Sequence, residues 1–181
     1  DGGISIGEDF KTILITSDRG RSKQMNSGAR AGSGDVFWFL HADSRLGRVS
    51  RRQIGMAVGE GTDWGHFDVT ITGSKKIYRI IEAFMNLRSR VSRIATGDMG
   101  IFIKADLFKK VGGFPRIDLM EDVELCKNLR GAKYFVSCQR ILVNERRWER
   151  HGVLRTVCLM WLLRLAWFFR VPSAFLARLY G

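Results

Sequence analysis

Residues 36–43 read Val36-Phe37-Trp38-Phe39-Leu40-His41-Ala42-Asp43, and this stretch decides the fold. Its first five side chains are apolar, and the turn-forming Gly32-Ser33-Gly34-Asp35 stands ahead of them. Such a run suits a strand buried on both faces, as in a parallel sheet covered by helices. Upstream, residues 11–17 (KTILITS) are rich in β-branched side chains and read as a strand. Asp18-Arg19-Gly20 reads as a turn, and residues 22–31 as a short helix with Ser22 at its N-cap. Strand, helix and strand in that order predict an α/β fold. The expectation is a three-layer domain with a mainly parallel sheet and residues 36–40 as a central strand. In open α/β sheets ligands bind beyond the carboxyl ends of strands, where His41-Ala42-Asp43 stands.

Farther along, residues 49–58 fit a helix, and residues 66–72 (HFDVTIT) alternate like a strand with one wet face. Residues 75–93 carry Ile77, Ile80, Ile81, Phe84 and Leu87 at helical spacing. Residues 100–103 read as a short strand, and residues 106–111 as a short helix that Gly112-Gly113 ends. Residues 121–129 read as a helix, and residues 134–137 and 141–143 as short strands. No repeat or linker is visible, so a domain over residues 1–152 is followed by an apolar helix and tail over residues 153–181. Residues 153–169 (VLRTVCLMWLLRLAWFF) are apolar nearly all round, with Arg155 and Arg164 on opposite faces of a helix. That length approaches a membrane span, but each arginine would cost about 2.5–3.5 kcal/mol at the bilayer centre. A helix in the membrane interface, or one packed on the domain, fits better than a spanning one.

The 181 residues are 45% hydrophobic and 27% charged, which describes a globular chain able to bury a core without staples. Cys126, Cys138 and Cys158 form no C-x-x-C pair, which argues against a disulfide framework or zinc knuckle and fits a reducing compartment. The chain opens on Asp1-Gly2-Gly3 with no signal peptide, and reads as starting just after a strand whose end carries Asp1. The net charge of +12 points to anionic small molecules, anionic membranes or nucleic acid. Nucleic acid is disfavoured, because aromatics such as Phe37-Trp38-Phe39 sit in apolar runs and are not interleaved with arginine.

Four charged clusters carry the chemistry, each with a plainer alternative. Asp43 is placed to ligate Mg²⁺ or Mn²⁺ together with substrate phosphates, or else to cap a turn. His41 and His151 are further metal-ligand candidates, or structural histidines. Glu121-Asp122 opens a helix, where acidic residues suit the macrodipole; equally, one of them, Asp122 before Glu121, can act as a general base. Arg19-Gly20-Arg21 and Lys23 surround a turn ahead of the first helix, with Gln24 and Asn26 adding polar reach, and this helix N-terminus can bind an anion or else is a solvated turn. Arg146-Arg147-Trp148 puts two cations beside an indole, which can stack on a sugar or anchor the tail helix.

Taken together, these stretches resemble the family 2 glycosyltransferases of GT-A fold: residues 20–29 (GRSKQMNSGA), 39–44 (FLHADS), 86–90 (NLRSR), 96–98 (TGD), 112–115 (GGFP), 119–125 (LMEDVEL) and 146–152 (RRWERHG). Within that family the chain looks most like a small bacterial-type subgroup associated with arsenosugar biosynthesis and with radical-SAM or selenodomain gene neighbourhoods. The resemblance implies metal-assisted transfer of a sugar from a nucleotide-diphosphate donor, a UDP-sugar first, to an acceptor hydroxyl with inversion. It implies that Asp1 contacts the donor base, although Ile4 stands where serine is usual. Asp43 would be the last carboxylate of a D-x-D metal motif, with His41 in place of the first and Ala42 between them on the donor. Asp122 would be the base of an E-D pair. Asn144-Glu145-Arg146-Arg147-Trp148 resembles a Q-x-x-R-W motif tied to the acceptor or the diphosphate, and Gly97 and Asp98 fall in the acceptor loop. The family's first strand and its P-x-x-N-E-type residues have no counterpart here, which implies a truncated chain. Other readings are a nucleotidyltransferase of the same fold and an inactive nucleotide- or partner-binding remnant. The expected location is cytoplasmic, peripheral at the inner face of a membrane through residues 153–169.

Overall fold

The computed structural model describes residues 13–42, 44–46 and 50–180, with the backbone alone at Arg147. Four strands form one sheet: β1 (Val36–Trp38), β2 (Trp64–Ile71), β3 (Phe102–Lys104) and β4 (Tyr134–Val143), in spatial order β1-β3-β2-β4. β3 runs antiparallel to both β1 and β2, and β2 pairs with β4 in parallel. The sheet is therefore mixed, not mainly parallel. An apolar run reports that a strand is covered on both faces; it carries no information on direction. β1 also lies at the edge of the described sheet rather than its centre, although Phe39 N still bonds Ile101 O at 2.8 Å.

Helices pack on both faces, so the α/β class stands. α1 (Arg21–Ala31), α4 (Ala105–Lys110) and α5 (Glu121–Asn128) supply Ala29, Phe108 and Leu125 to a core with Phe37, Trp64 and Ile103. α2 (Ser50–Gly59) covers the other face through Ile54 against Phe67, Phe102 and Ile141. Each large apolar side chain so buried contributes about 1.5–3 kcal/mol. Gly112 and Gly113 follow α4 at φ 83° and 75°, the left-handed backbone expected where that helix ends.

Residues 13–17 form no strand, and Ile13 and Leu14 are exposed. β-branched side chains favour an extended backbone, but a strand exists by pairing, and no described strand lies beside them. Ser22 does not cap α1; Gly20 stands at that position, and the Ser22 hydroxyl donates to Ile117 O at 3.2 Å. The wet face expected of β2 is missing too, since every residue of it but Thr70 is buried. Its polar members find partners inside, except that Trp64 Nε1 and Asp68 Oδ1 are buried without one among the described residues. His66 Nδ1–H donates to Phe67 O at 3.0 Å, its Nε2 accepts the Tyr134 hydroxyl at 2.7 Å, and Asp68 pairs with Arg90 at 2.8 Å. The two short strands expected over residues 134–143 are one strand, whose pairing with β2 shifts register between Phe67 and Asp68.

Helix α3 (Lys76–Ser92) is inside out. It buries Tyr78, Ile81, Glu82, Asn86 and Ser89, while Ile77, Ile80, Phe84 and Leu87 are exposed. The buried polar groups have a task. β3 pairs with β2 at Trp64 and Gly65, which leaves Val69 and Ile71 without a strand on that side. Asn86 accepts from Val69 N at 2.9 Å and donates to Val69 O at 3.1 Å. Glu82 accepts from Ile71 N, and Arg79 donates to Ile71 O at 2.6 Å. Side chains of α3 thus stand in for a missing strand and satisfy backbone groups that would otherwise be buried unpaired.

The tail folds onto the domain. α6 (Arg146–His151) leads into α7 (Val153–Phe168) and α8 (Ser173–Tyr180). Leu163 of α7 and Leu176 of α8 pack against Leu119, Met120 and Val123. Trp167 Nε1 donates to Glu124 at 2.8 Å. Trp148 joins Ile71, Tyr78 and Ile81 in a cluster that Val157 and Met160 also touch. Among the described residues no helix is long and apolar enough to cross a membrane.

Candidate functional site

The start of α5 carries the acid pair, and an unusual backbone aims it. Met120 sits at φ 71°, a left-handed conformation that costs a side chain other than glycine about 1–3 kcal/mol. The packing of Leu119 and Met120 under Leu163 and Leu176 holds it there. Glu121 and Asp122 are thereby turned into a cavity of about 190 Å³, which Arg21, His41, Gly97, Asp98 and Trp148 also line. These residues come from five places in the chain: the start of α1, the end of β1, the 3-10 turn Gly97–Met99, the start of α5 and α6.

Arg21 is the hub. Its Nε lies 3.3 Å from Glu121 Oε1, and its Nη2 lies 2.6 Å from His41 Nε2. A guanidinium only donates, so His41 Nε2 is an acceptor here. Asp122 is held by two backbone donors, Gly97 N at 3.0 Å and Val123 N at 2.8 Å. The Thr96 hydroxyl donates to Asp98 beside them. Gly97 is required for this approach: a Cβ there would stand 2.4 Å from Arg21 Nη2 and 2.6 Å from His41 Nε2.

Burial sets the electrostatics. Desolvation pushes Glu121 above the ordinary carboxylate range, the neighbouring Asp122 pushes it further, and Arg21 pulls it back. Desolvation likewise raises Asp122, opposed by Arg21 and by the N–H groups of Val123 and Gly97. A carboxylate that is costly to keep charged and fixed by two hydrogen bonds is a strengthened, oriented base. The Arg21 side chain is 38% exposed, so its remaining N–H groups can reach a solute.

The metal candidates do not assemble. His41 turns its Nε2 to Arg21, and His151 is exposed at the end of α6 and does not line the cavity. Among the described residues no group of three or more His, Cys, Asp or Glu side chains is arranged around a common point. Arg21 supplies positive charge beside the acid pair. Asp43 and Asp1 lie outside the described residues.

Other predicted residues sit elsewhere. Gln24 and Ala42 line an open cleft beside β1 that shares Arg21 and His41 with the cavity. Asn26 spends its amide on the backbone of Phe114, donating to its carbonyl at 2.8 Å and accepting from its N–H at 3.0 Å. Arg146 is exposed, and the Arg147 side chain is not described. Trp148 is buried and anchors α7 while one edge lines the cavity. Sequence reading missed Arg164 and Tyr180, which complete the cavity from the tail. Arg164 had a signal, a lone charge in an apolar helix; Tyr180 had none.

No protein-family model matches the chain, and no curated protein matches it.

Proposed function

We propose that the chain is a GT-A-type, family 2-like glycosyltransferase that moves a sugar from a nucleotide-diphosphate donor to an acceptor oxygen. The observation that carries this reading is the convergence of Arg21, Gly97, Asp98, Glu121 and Asp122 on one cavity beyond the end of β1. The donor diphosphate lies against Arg21 and the N-terminus of α1, where free N–H groups and the guanidinium offset its charge. Asp122 takes the proton of the acceptor hydroxyl as that oxygen attacks the anomeric carbon. The bond from that carbon to the diphosphate breaks in the same step, and the nucleoside diphosphate leaves with the electron pair. Glu121 orients Arg21. A single displacement inverts the anomeric centre. Mg²⁺ or Mn²⁺ enters this reading only through Asp43 and phosphate oxygens of the donor, and no step here depends on it.

The test is a product assay with UDP-, GDP-, ADP- and CMP-sugars, supplying a mixed acceptor extract. Release of free nucleoside diphosphate with the sugar on the acceptor supports the reading. Incorporation of the nucleoside with release of a sugar phosphate or diphosphate would replace it with nucleotidyl transfer.

A further inference from the structure

Behind the carboxylate cavity, α3 and α7 enclose an apolar groove of about 250 Å³. Its walls are Ile81, Phe84 and Met85 from α3, and Val157, Met160 and Trp161 from α7. Its polar side chains are Arg88 and Arg164. Both stand one helical turn beyond the apolar wall residues of their own helix, Arg88 after Phe84 and Arg164 after Met160. Arg164 also lines the carboxylate cavity, and Arg88 feels the charges of Asp98 and Asp122, so both arginines mark the end of the groove nearest the acid pair.

Arg88 is out of balance. Its Nη2 is buried and has no hydrogen-bond partner. Burial lowers its pKa, against the pull of Asp98 and Asp122. A buried guanidinium N–H left unmade costs more than an ordinary lost bond, and an anionic oxygen at the groove's end would satisfy it. The groove's other end opens onto more apolar surface, where Phe84 is 66% and Trp161 is 61% exposed, continuing through Ile80 on α3 and Leu154 on α7. Arg155 on α7, Arg170 in the turn after it and Arg178 on α8 are exposed, and none is in an ion pair among the described residues. Exposed apolar side chains together with unpaired cations on the same tail helices complement an anionic bilayer.

We infer that the α3–α7 groove takes the apolar chain of a phosphate-bearing lipid from an anionic membrane, with its headgroup at Arg88 and Arg164. Binding stands on the groove alone. Naming this lipid as the acceptor rests on the glycosyltransferase reading above, because its headgroup would lie beside Asp122.

Dodecyl phosphate is the probe, with dodecanol and inorganic phosphate as separate arms, read by the fluorescence of Trp148 and Trp161. Dodecyl phosphate should bind, and neither fragment should match it. Arg164→Gln and Arg88→Gln should each weaken binding roughly tenfold, the loss of one charge-assisted contact. Because Arg88→Gln can disturb folding, Trp161→Glu at an exposed position serves as the second variant; it should abolish binding with an unchanged melting temperature. The intact chain should sediment with phosphatidic acid–phosphatidylcholine vesicles and Trp161→Glu should not. Equal binding of dodecanol or of inorganic phosphate overturns the inference. So does a protein that stays in the supernatant and self-associates through Trp161, since the face would then be a protein contact. If the probe binds while no nucleotide-sugar does, the groove stands and the glycosyltransferase reading falls.

Discussion

The carboxylate cavity and the α3–α7 groove share Trp148, Met160 and Arg164, yet they treat charge in opposite ways. In the cavity the acid pair has its counterparts: Arg21 faces Glu121, and two backbone N–H groups hold Asp122. In the groove the walls are apolar and Arg88 keeps a buried N–H without a partner. The difference teaches where each kind of ligand belongs. A preorganised set of paired charges suits chemistry, because it needs no reorganisation as charge moves. An unpaired cation at the end of an apolar slot suits recognition of an amphiphile.

The sharpest way to break this contrast is to remove the base. Asp122→Asn should lower sugar transfer by about 10²- to 10⁴-fold while donor affinity is kept, because a base acts on the acceptor proton alone. Steady-state kinetics paired with calorimetric donor titration separates the two. Near-normal turnover would move the base to Glu121 or Asp98.

The next contrast is between the faces of α3. Asn86→Leu strips two partners from the buried backbone of Val69 and should cost about 2–4 kcal/mol in denaturant unfolding. Phe84→Ser on the outer face should change stability by about 0.5 kcal/mol or less. Equal losses would mean that the outer face is part of a core.

Gly97→Ala should push Arg21 off its place with little loss of stability, and weaken nucleoside diphosphate binding roughly tenfold by isothermal titration. Unchanged affinity would remove Arg21 from the diphosphate site.

The smallest effect is in pH. Glu121 has a folded pKa raised above its ordinary 4.5, so the folded state holds that proton to higher pH than the unfolded chain does. Stability from this group is full below 4.5 and is lost as pH rises through the raised value. Glu121→Gln should remove that slope, so the melting temperature of the variant relative to the parent should climb with pH across the window. A flat difference would mean that Glu121 is charged throughout.

Sequence legibility followed a physical line. Where local pattern suffices, the reading and the structure agree: the helices at Ser50–Gly59, Lys76–Ser92 and Glu121–Asn128, and the stop at Gly112-Gly113. Where pairing decides, they part. Nothing in Phe102-Ile103-Lys104 announces that it runs antiparallel between β1 and β2, and nothing in KTILITS says whether a neighbour will pair with it. The apolar stripe of α3 marked the helix but not its orientation. Reading it outward required knowing that β2 lacks a strand beside Val69, a gap that Asn86 and Glu82 fill. For the site, charged residues at element ends were legible, and Arg21, His41, Gly97, Asp98, Glu121, Asp122 and Trp148 do meet. Asn26 was misleading because an amide beside a helix N-terminus looks the same whether it faces a ligand or ties down a turn. Arg88 and Arg164 escaped because their meaning lies in what surrounds them in space.

The central claim is that Arg21 and the acid pair form a donor site, and a thermal-shift panel tests it most directly. The intact chain, Arg21→Ala and Asp122→Asn are each melted with UDP-, GDP-, ADP- and CMP-sugars, with and without Mn²⁺. A ligand at 100 times its dissociation constant stabilises by about 2.7 kcal/mol, well within reach of the method. One nucleotide class should raise the melting temperature of the parent and of Asp122→Asn, and leave Arg21→Ala unmoved. No stabilisation by any nucleotide-sugar, or equal stabilisation of Arg21→Ala, would contradict the account.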